Sequence, residues 1–239
     1  GDFNVGTVDQ GALETLVADQ RKSGIALSTL GFGSGNYNDA MAERLADVGD
    51  GNHAYIDNLM EGRKVLVEEM SATLLTIASD VKIQVEFNPA VVAEYRLIGY
   101  ENRQLAREDF NNHQVDAGEI GAGHDVTALY EIALVGSGGE AMDPLRYAAA
   151  PVAGGRGDEI AHLKLRYKRP GEDRSVLVER PVTRTDISRE ADESLRFAAA
   201  VAAYADLLRG GRHVNGFTWA QVETLARDAR GDDPWGYRG

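Results

Sequence analysis

"RKSGIALSTLGFGSGNYND", residues 21–39, decides how the first part of the chain is read. Its centre, Ile25-Ala26-Leu27-Ser28-Thr29-Leu30-Gly31-Phe32, is a nearly continuous apolar run bounded by glycines, the pattern of a strand buried on both faces. Upstream, Leu13, Leu16, Val17 and Gln20 recur at spacings of three and four behind Asp9, an N-cap residue type, and Gly24 ends the segment. That spacing predicts an amphipathic helix. Downstream, Asn38 or Asp39 caps a second helix through Ala42, Leu45, Ala46 and Val48, with Gly49 where a C′ glycine closes a helix. A short strand at His53–Ile56 follows, then a longer helix from about Asn58 to Ile77 that turns Val65, Leu66, Met70, Leu74 and Ile77 inward. Helix, strand, helix, strand, helix over residues 1–78 is the order of a parallel α/β unit.

From residue 79 the texture changes. Val81, Ile83, Val85 and Phe87 alternate with Lys82, Gln84 and Glu86, the period of a sheet with one wet face. Further strands are predicted at 91–100, 125–135, 159–168 and 175–182, giving an antiparallel β domain over residues 79–185. "GSGGEAMDP" (136–144) and "APVAGGRGD" (150–158) lack periodicity and read as mobile loops between those strands. Residues 186–239 form a helical segment: Ile187, Ala191, Leu195, Ala198, Ala202, Ala205 and Leu208 recur at three and four up to Gly210-Gly211. So many alanines on one helix imply close packing. A last helix spans Thr218 to Arg230 before a polar tail.

Composition narrows the function. With 239 residues and 43% hydrophobic content there is enough apolar material for a core. A balance of 25 Lys+Arg against 38 Asp+Glu, net −13, argues against a nucleic-acid partner, whose phosphates need a basic surface. The absence of cysteine removes disulfides, thiolate nucleophiles and cysteine-based zinc sites. No apolar run reaches the roughly 18 residues of a membrane span.

The chemical motifs fail on inspection. "GFGSGN" (31–36) follows a strand and precedes a helix as a dinucleotide loop does, but Asn36 stands at the third glycine. Ser34 and Ser137 lack the glycine two residues upstream that a nucleophile elbow needs. His53, His113, His124, His162 and His213 show no ligand spacing. Glu68-Glu69, Glu190 with Asp192-Glu193, and Asp232-Asp233 read as solvated faces and a solvated tail. "DVGDGN" (47–52) lacks the remaining oxygen ligands of a calcium loop. No catalytic residue is proposed, and no metal ligand.

"GDFNVG" (1–6), residues 21–39, "LADVGDGNHAYIDNLMEGRKVLVEEM" (45–70) and "DVKIQVEFNPAVVAEYRLIGYENR" (80–103) together resemble the bacterial YfbK-like group of von Willebrand factor type A domain proteins. "EDFNNHQVDAGEIGAGHDVTALYEI" (108–132) is similar to the domain that follows the A domain in that group. The resemblance implies a doubly wound, Rossmann-like sheet of order 3-2-1-4-5-6, with a Mg²⁺-dependent adhesion site at the carboxyl ends of its strands. That site is built from an Asp-x-Ser-x-Ser loop, a Thr and a strand-4 Asp. By the same resemblance this chain holds the C-terminal half of the A domain, and the metal Asp would stand immediately before Gly1.

Asp2 and Asn4 are then expected beside the adhesion site, and Ser34, Gly35 and Asn36 at the same end of the sheet, without replacing the missing ligands. No cofactor is expected in this fragment, while Mg²⁺ is expected for the intact A domain. The implied function is a non-enzymatic, adhesion-type module for a protein partner, working in the bacterial cell envelope or periplasm with any targeting signal upstream. The edge and faces of the strand at Ile25 to Phe32 would be left uncovered, inviting a homo-oligomer or another covering segment. Two alternatives stand beside this reading: a hydrolase whose carboxylates meet between the two domains, and an intracellular adaptor working with an ATPase.

Overall fold

A computed structural model of the chain describes residues 9–33, 35, 37–70, 75–99, 104–112, 115, 117–143, 154–214, 216–234 and 236–238. The Asp9 carboxylate accepts the Ala12 N–H at 2.8 Å and starts α1 (Gln10–Arg21). The Asn38 side chain accepts the Met41 N–H at 3.1 Å and starts α2 (Asp39–Val48), which Gly49 ends. Between them lies β1 (Thr29–Phe32), and β2 (His53–Ile56) pairs with it in parallel, Thr29 opposite His53 and Phe32 opposite Ile56.

β1 is shorter than the apolar run suggests. Before Thr29 the chain is held by the α2–β2 connection, Leu27 N–H donating to the Gly49 carbonyl and Thr29 N–H to that of Asn52, both at 2.9 Å. The approach is so close that a Cβ on Gly51 would sit 1.9 Å from the Leu27 carbonyl oxygen.

Asn58 caps α3 (Leu59–Arg63), which continues as one π-helical turn, Lys64–Glu68. The helix does not reach Ile77, because β3 (Thr76–Phe87) has begun and Thr76 is paired with Gly121. β-branched Thr76 and Ile77 fit a strand, and tertiary pairing overrides the helical spacing. Of the residues expected on the helix's inner side, Val65 is buried while Leu66, Met70 and Ile77 are exposed; Leu74 lies outside the described residues.

The β region holds two sheets. β5 (Gly118–Gly121), β3, β7 (Glu159–Lys168) and β8 (Ser175–Thr183) form a four-stranded sheet in the order β5–β3–β7–β8, with β3 and β5 antiparallel. β4 (Val92–Ile98) and β6 (Leu129–Leu134) form an antiparallel pair. The four residues of β5 carry two glycines and no alternation, and sequence pattern did not mark them.

On β3 the expected facing is reversed at its centre: Lys82 is buried and Ile83 exposed. Asp80 adopts a left-handed φ of +51°, and the register with β5 shifts between Ala78 and Val81. A bulge of this kind re-aims the side chains beyond it.

Val91, Val92 and Ile160 form a small core with Phe87 and Leu134 against it. Asn88 fixes that corner, its amide donating to the carbonyls of Arg156 (2.9 Å) and Glu159 (2.8 Å) and its oxygen accepting the Ala90 N–H.

α4 (Glu193–Leu208) is capped by Asp192 and begins after Ile187, which is exposed and outside the helix. α5 (Trp219–Asp228) opens with a Thr218–Gln221 capping box and packs on α4, Tyr204 standing edge-on to Trp219 at 5.8 Å. The chain is thus mixed α/β, with a small parallel sheet, an antiparallel four-stranded sheet and C-terminal helices. It divides into two compact units, one of Gly1–Gln84, Arg107–Val126 and Lys164–Val178, the other of Val85–Ala106, Thr127–Leu163 and Glu179–Gly239.

Candidate functional site

The parallel pair β1–β2 has two unlike faces. Register places Thr29, Gly31, His53 and Tyr55 on one of them, and Leu30, Phe32, Ala54 and Ile56 on the other. On the first, Tyr37 from the loop after β1 lies across Gly31, where a Cβ would meet its ring at 2.3 Å, and sits tilted against Tyr55 with ring centroids 5.3 Å apart. The Tyr55 hydroxyl donates to the Gly33 carbonyl at 2.8 Å, bracing the start of that loop.

Below the tyrosines sits a polar cluster that sequence spacing did not reveal. Thr29 Oγ1 lies 2.9 Å from His53 Nδ1, while His53 Nε2 meets Asp39 Oδ1 at 3.0 Å and the Tyr37 hydroxyl at 3.1 Å. Thr29 Oγ1 also lies 2.9 Å from the Ala42 carbonyl, to which it donates, and the direction of its contact with His53 Nδ1 is set by the imidazole tautomer. The cluster joins β1, β2 and α2, and burial with the neighbouring Asp39 charge holds the Tyr37 phenol above its ordinary range. Its only sequence signal is the parallel register that sets Thr29 beside His53.

The second face is open. Ile56 is buried and touches the position of Gly62 on α3, but Leu30 and Phe32 remain 40% and 60% exposed. Neither a strand covered on both faces, as the apolar run alone suggests, nor one bare on both, as the resemblance implies for this piece, is found: among the described residues Tyr37 and α2 cover one side, and α3 covers the other only at β2. Among the described residues β1 has a strand on one edge alone.

Of the expected adhesion-face residues, Gly35 is described, in the bend between β1 and α2; Asp2, Asn4, Ser34 and Asn36 lie outside the described residues. Asp57 and Asn58 stand at the same, carboxyl end of the sheet, with the Asn58 amide donating to Asp57 at 2.7 Å. No group of three His, Asp or Glu side chains able to hold a metal ion occurs among the described residues. Those residues do not fit the Mg²⁺ that the A-domain resemblance implies, and no step is derived through it.

A second polar cluster lies on β3. Lys82, 2% exposed, donates to the Asn112 carbonyl at 2.6 Å and pairs with Asp80 at 3.0 Å, and Lys168 approaches the other Asp80 oxygen at 3.2 Å. Nearby, the Arg166 guanidinium lies over the Phe110 ring and donates to Asn111 at 3.0 Å. These contacts tie β3 and β7 to the short 3₁₀ helix at Arg107–Asn111. They account for a buried lysine by pairing rather than by chemistry on a ligand.

A family model described as the C-terminal region of the uncharacterized protein YfbK matches residues 72–239. The chain belongs to this YfbK C-terminal family. The match takes in β3 to β8, α4 and α5. The chain is also 50% identical over 240 residues to a protein of Escherichia coli (strain K12) named "Uncharacterized protein YfbK". That similarity covers 100% of this chain and 41% of the E. coli protein, so the chain spans less than half the length of its relative. No solved structure matches the chain. No helix among the described residues is long and apolar enough to cross a membrane.

Proposed function

We propose that the chain is part of a non-enzymatic, protein-binding module of the von Willebrand A type, and that the open face of β1, with the edge that no described strand pairs, is where it is completed. The supporting observation is the pairing of an exposed apolar strand face, Leu30 and Phe32, with a parallel two-stranded sheet whose other face is already covered. Parallel strands belong in larger sheets with both faces covered, and apolar side chains left bare beside a free edge mark a contact surface. The occupant proposed is a further parallel strand with its helix, supplied by the kind of sequence that makes up the rest of the E. coli relative. The adhesion end of such a sheet carries the loop braced by Tyr37 and Tyr55, and an intact module would take Mg²⁺ there through ligands outside this chain.

The experiment is co-expression of this chain with the part of the E. coli protein outside the matched region, followed by co-purification with Mg²⁺ or with EDTA. A stable complex that protects the β1 amides from hydrogen exchange and is lost in Phe32→Glu supports the proposal. Absence of a complex, or a complex indifferent to Phe32→Glu, overturns it.

A further inference from the structure

α4 is apolar on two sides, and among the described residues only one is packed against another helix. Ala200 is 1% exposed on the side from which Tyr204 meets Trp219 of α5. The opposite side, carrying Ala198, Val201, Ala202 and Ala205 at helical spacing, lines a groove of about 1070 Å³. β4 contributes Leu97 and Ile98 to this groove, β6 contributes Tyr130, and the segment after α4 contributes Val214 and Phe217. A helix with two apolar faces is normally covered on both.

The groove's charge is out of keeping with the chain. Three arginines, Arg96, Arg209 and Arg212, line it against two carboxylates, Glu131 and Asp206, in a chain of net charge −13. Arg96 is matched to Glu131 at 2.6 Å, and Asp206 accepts the His213 N–H at 2.9 Å. Arg212 is exposed and makes no ion pair among the described residues.

We infer that this groove docks an amphipathic helix of a protein partner, apolar on one side and acidic along its flank. Alanines at 198, 202 and 205 form a low surface on which a second helix approaches closely, since interaxial distance follows the side chains at the contact. Tyr130, Val201 and Phe217 supply the larger apolar contacts, and Arg212 the charge that meets the acidic flank. An acyl chain fits less well. Small-molecule sites bury roughly 70–90% of their ligand, whereas Val201 and Phe217 are still 52% and 44% exposed on an open groove.

The test is a displayed library of helical 15-residue peptides, with large apolar residues fixed at i, i+3 or i+4 and i+7 and the flanks randomised, selected on the whole chain. Expected are enrichment of Glu and Asp on one flank, and binding by fluorescence anisotropy that weakens about tenfold in Ala202→Trp, which fills the groove. Arg212→Glu, on an exposed segment where folding is not at stake, should weaken binding several-fold, and replacing the peptide's acidic flank with lysine should restore it. Selection of no helical peptide, enrichment without an acidic bias, or equal binding to both variants overturns the inference. So does one-to-one binding of oleate that displaces every selected peptide. Neither variant touches β1, so failure here is separable from failure of the strand-completion reading.

Discussion

Asp80→Asn isolates the buried ion pair. Asparagine has nearly the same shape and tolerates the left-handed φ of +51° at this position, so the bulge in β3 is not disturbed. What is lost is the negative charge 3.0 Å from Lys82 Nζ, whose side chain is only 1% exposed, and 3.2 Å from Lys168 Nζ. At an effective dielectric of about 20, one such pair is worth about 5 kcal/mol of Coulomb energy before desolvation is charged against it. Breaking a buried pair from one side typically costs about 3–5 kcal/mol. Because the Asn112 carbonyl still holds Lys82, the lower figure, about 3 kcal/mol, is expected here. Lys82→Met removes the buried charge itself and leaves Asp80 with the partly exposed Lys168, so its cost should be smaller than that of Asp80→Asn. In a chain of two compact units a single melting curve is ambiguous. The assay is therefore native-state hydrogen exchange on the β3 and β5 amides, with the double variant closing the cycle. Equal costs for the two single variants, or a loss below about 0.5 kcal/mol for Asp80→Asn, would refute the view that Asp80 is there to neutralise Lys82.

Gly51→Ala places a methyl 1.9 Å from the Leu27 carbonyl oxygen and 2.7 Å from the Ser28 nitrogen, both backbone atoms that cannot rotate away. A loss of about 2–3 kcal/mol is expected, read as faster exchange of the Leu27 and Thr29 amides; unchanged exchange would show that the α2–β2 connection yields freely. Asp186 accepts the Thr183 N–H at 2.8 Å and the Thr183 hydroxyl at 3.1 Å, with Arg180 alongside at 2.8 Å, and these hold its carboxyl below the ordinary value. A carboxyl whose folded pKa is depressed contributes stability above its unfolded pKa and loses it as pH falls through the folded value. Local stability read by hydrogen exchange of the β8 amides should therefore fall from about pH 4 downward more steeply in the wild type than in Asp186→Asn; parallel acid limbs would remove Asp186 from the account.

What the sequence made legible were the elements defined by local chemistry. Asp9 and Thr218 cap the helices their spacing predicts, Asn38 rather than Asp39 caps α2, and β7 occupies 159–168 as its pattern requires; Asp192, which reads as part of a solvated face, is the cap of α4. The readings that failed share a cause. Leu66, Met70 and Ile77 keep helical spacing, yet Thr76 is claimed by pairing with Gly121, a partner 45 positions away (121 − 76) that no local pattern announces. The alternation on β3 assumed a regular strand, and one left-handed residue, Asp80, put a lysine inside and an isoleucine outside.

The candidate site was hidden for the same reason. Thr29, Tyr37, Asp39 and His53 carry no motif, and only the parallel register and the absence of a side chain at Gly31 bring them together. The apolar run from Ile25 to Phe32 has the pattern of a strand covered on both sides, and the A-domain resemblance implies that in this piece its faces lie bare. Among the described residues it is covered on one, and because hydrophobic pattern records what a strand is built to face, the bare side at Leu30 and Phe32 is the observation on which the proposal of a further segment against this sheet rests.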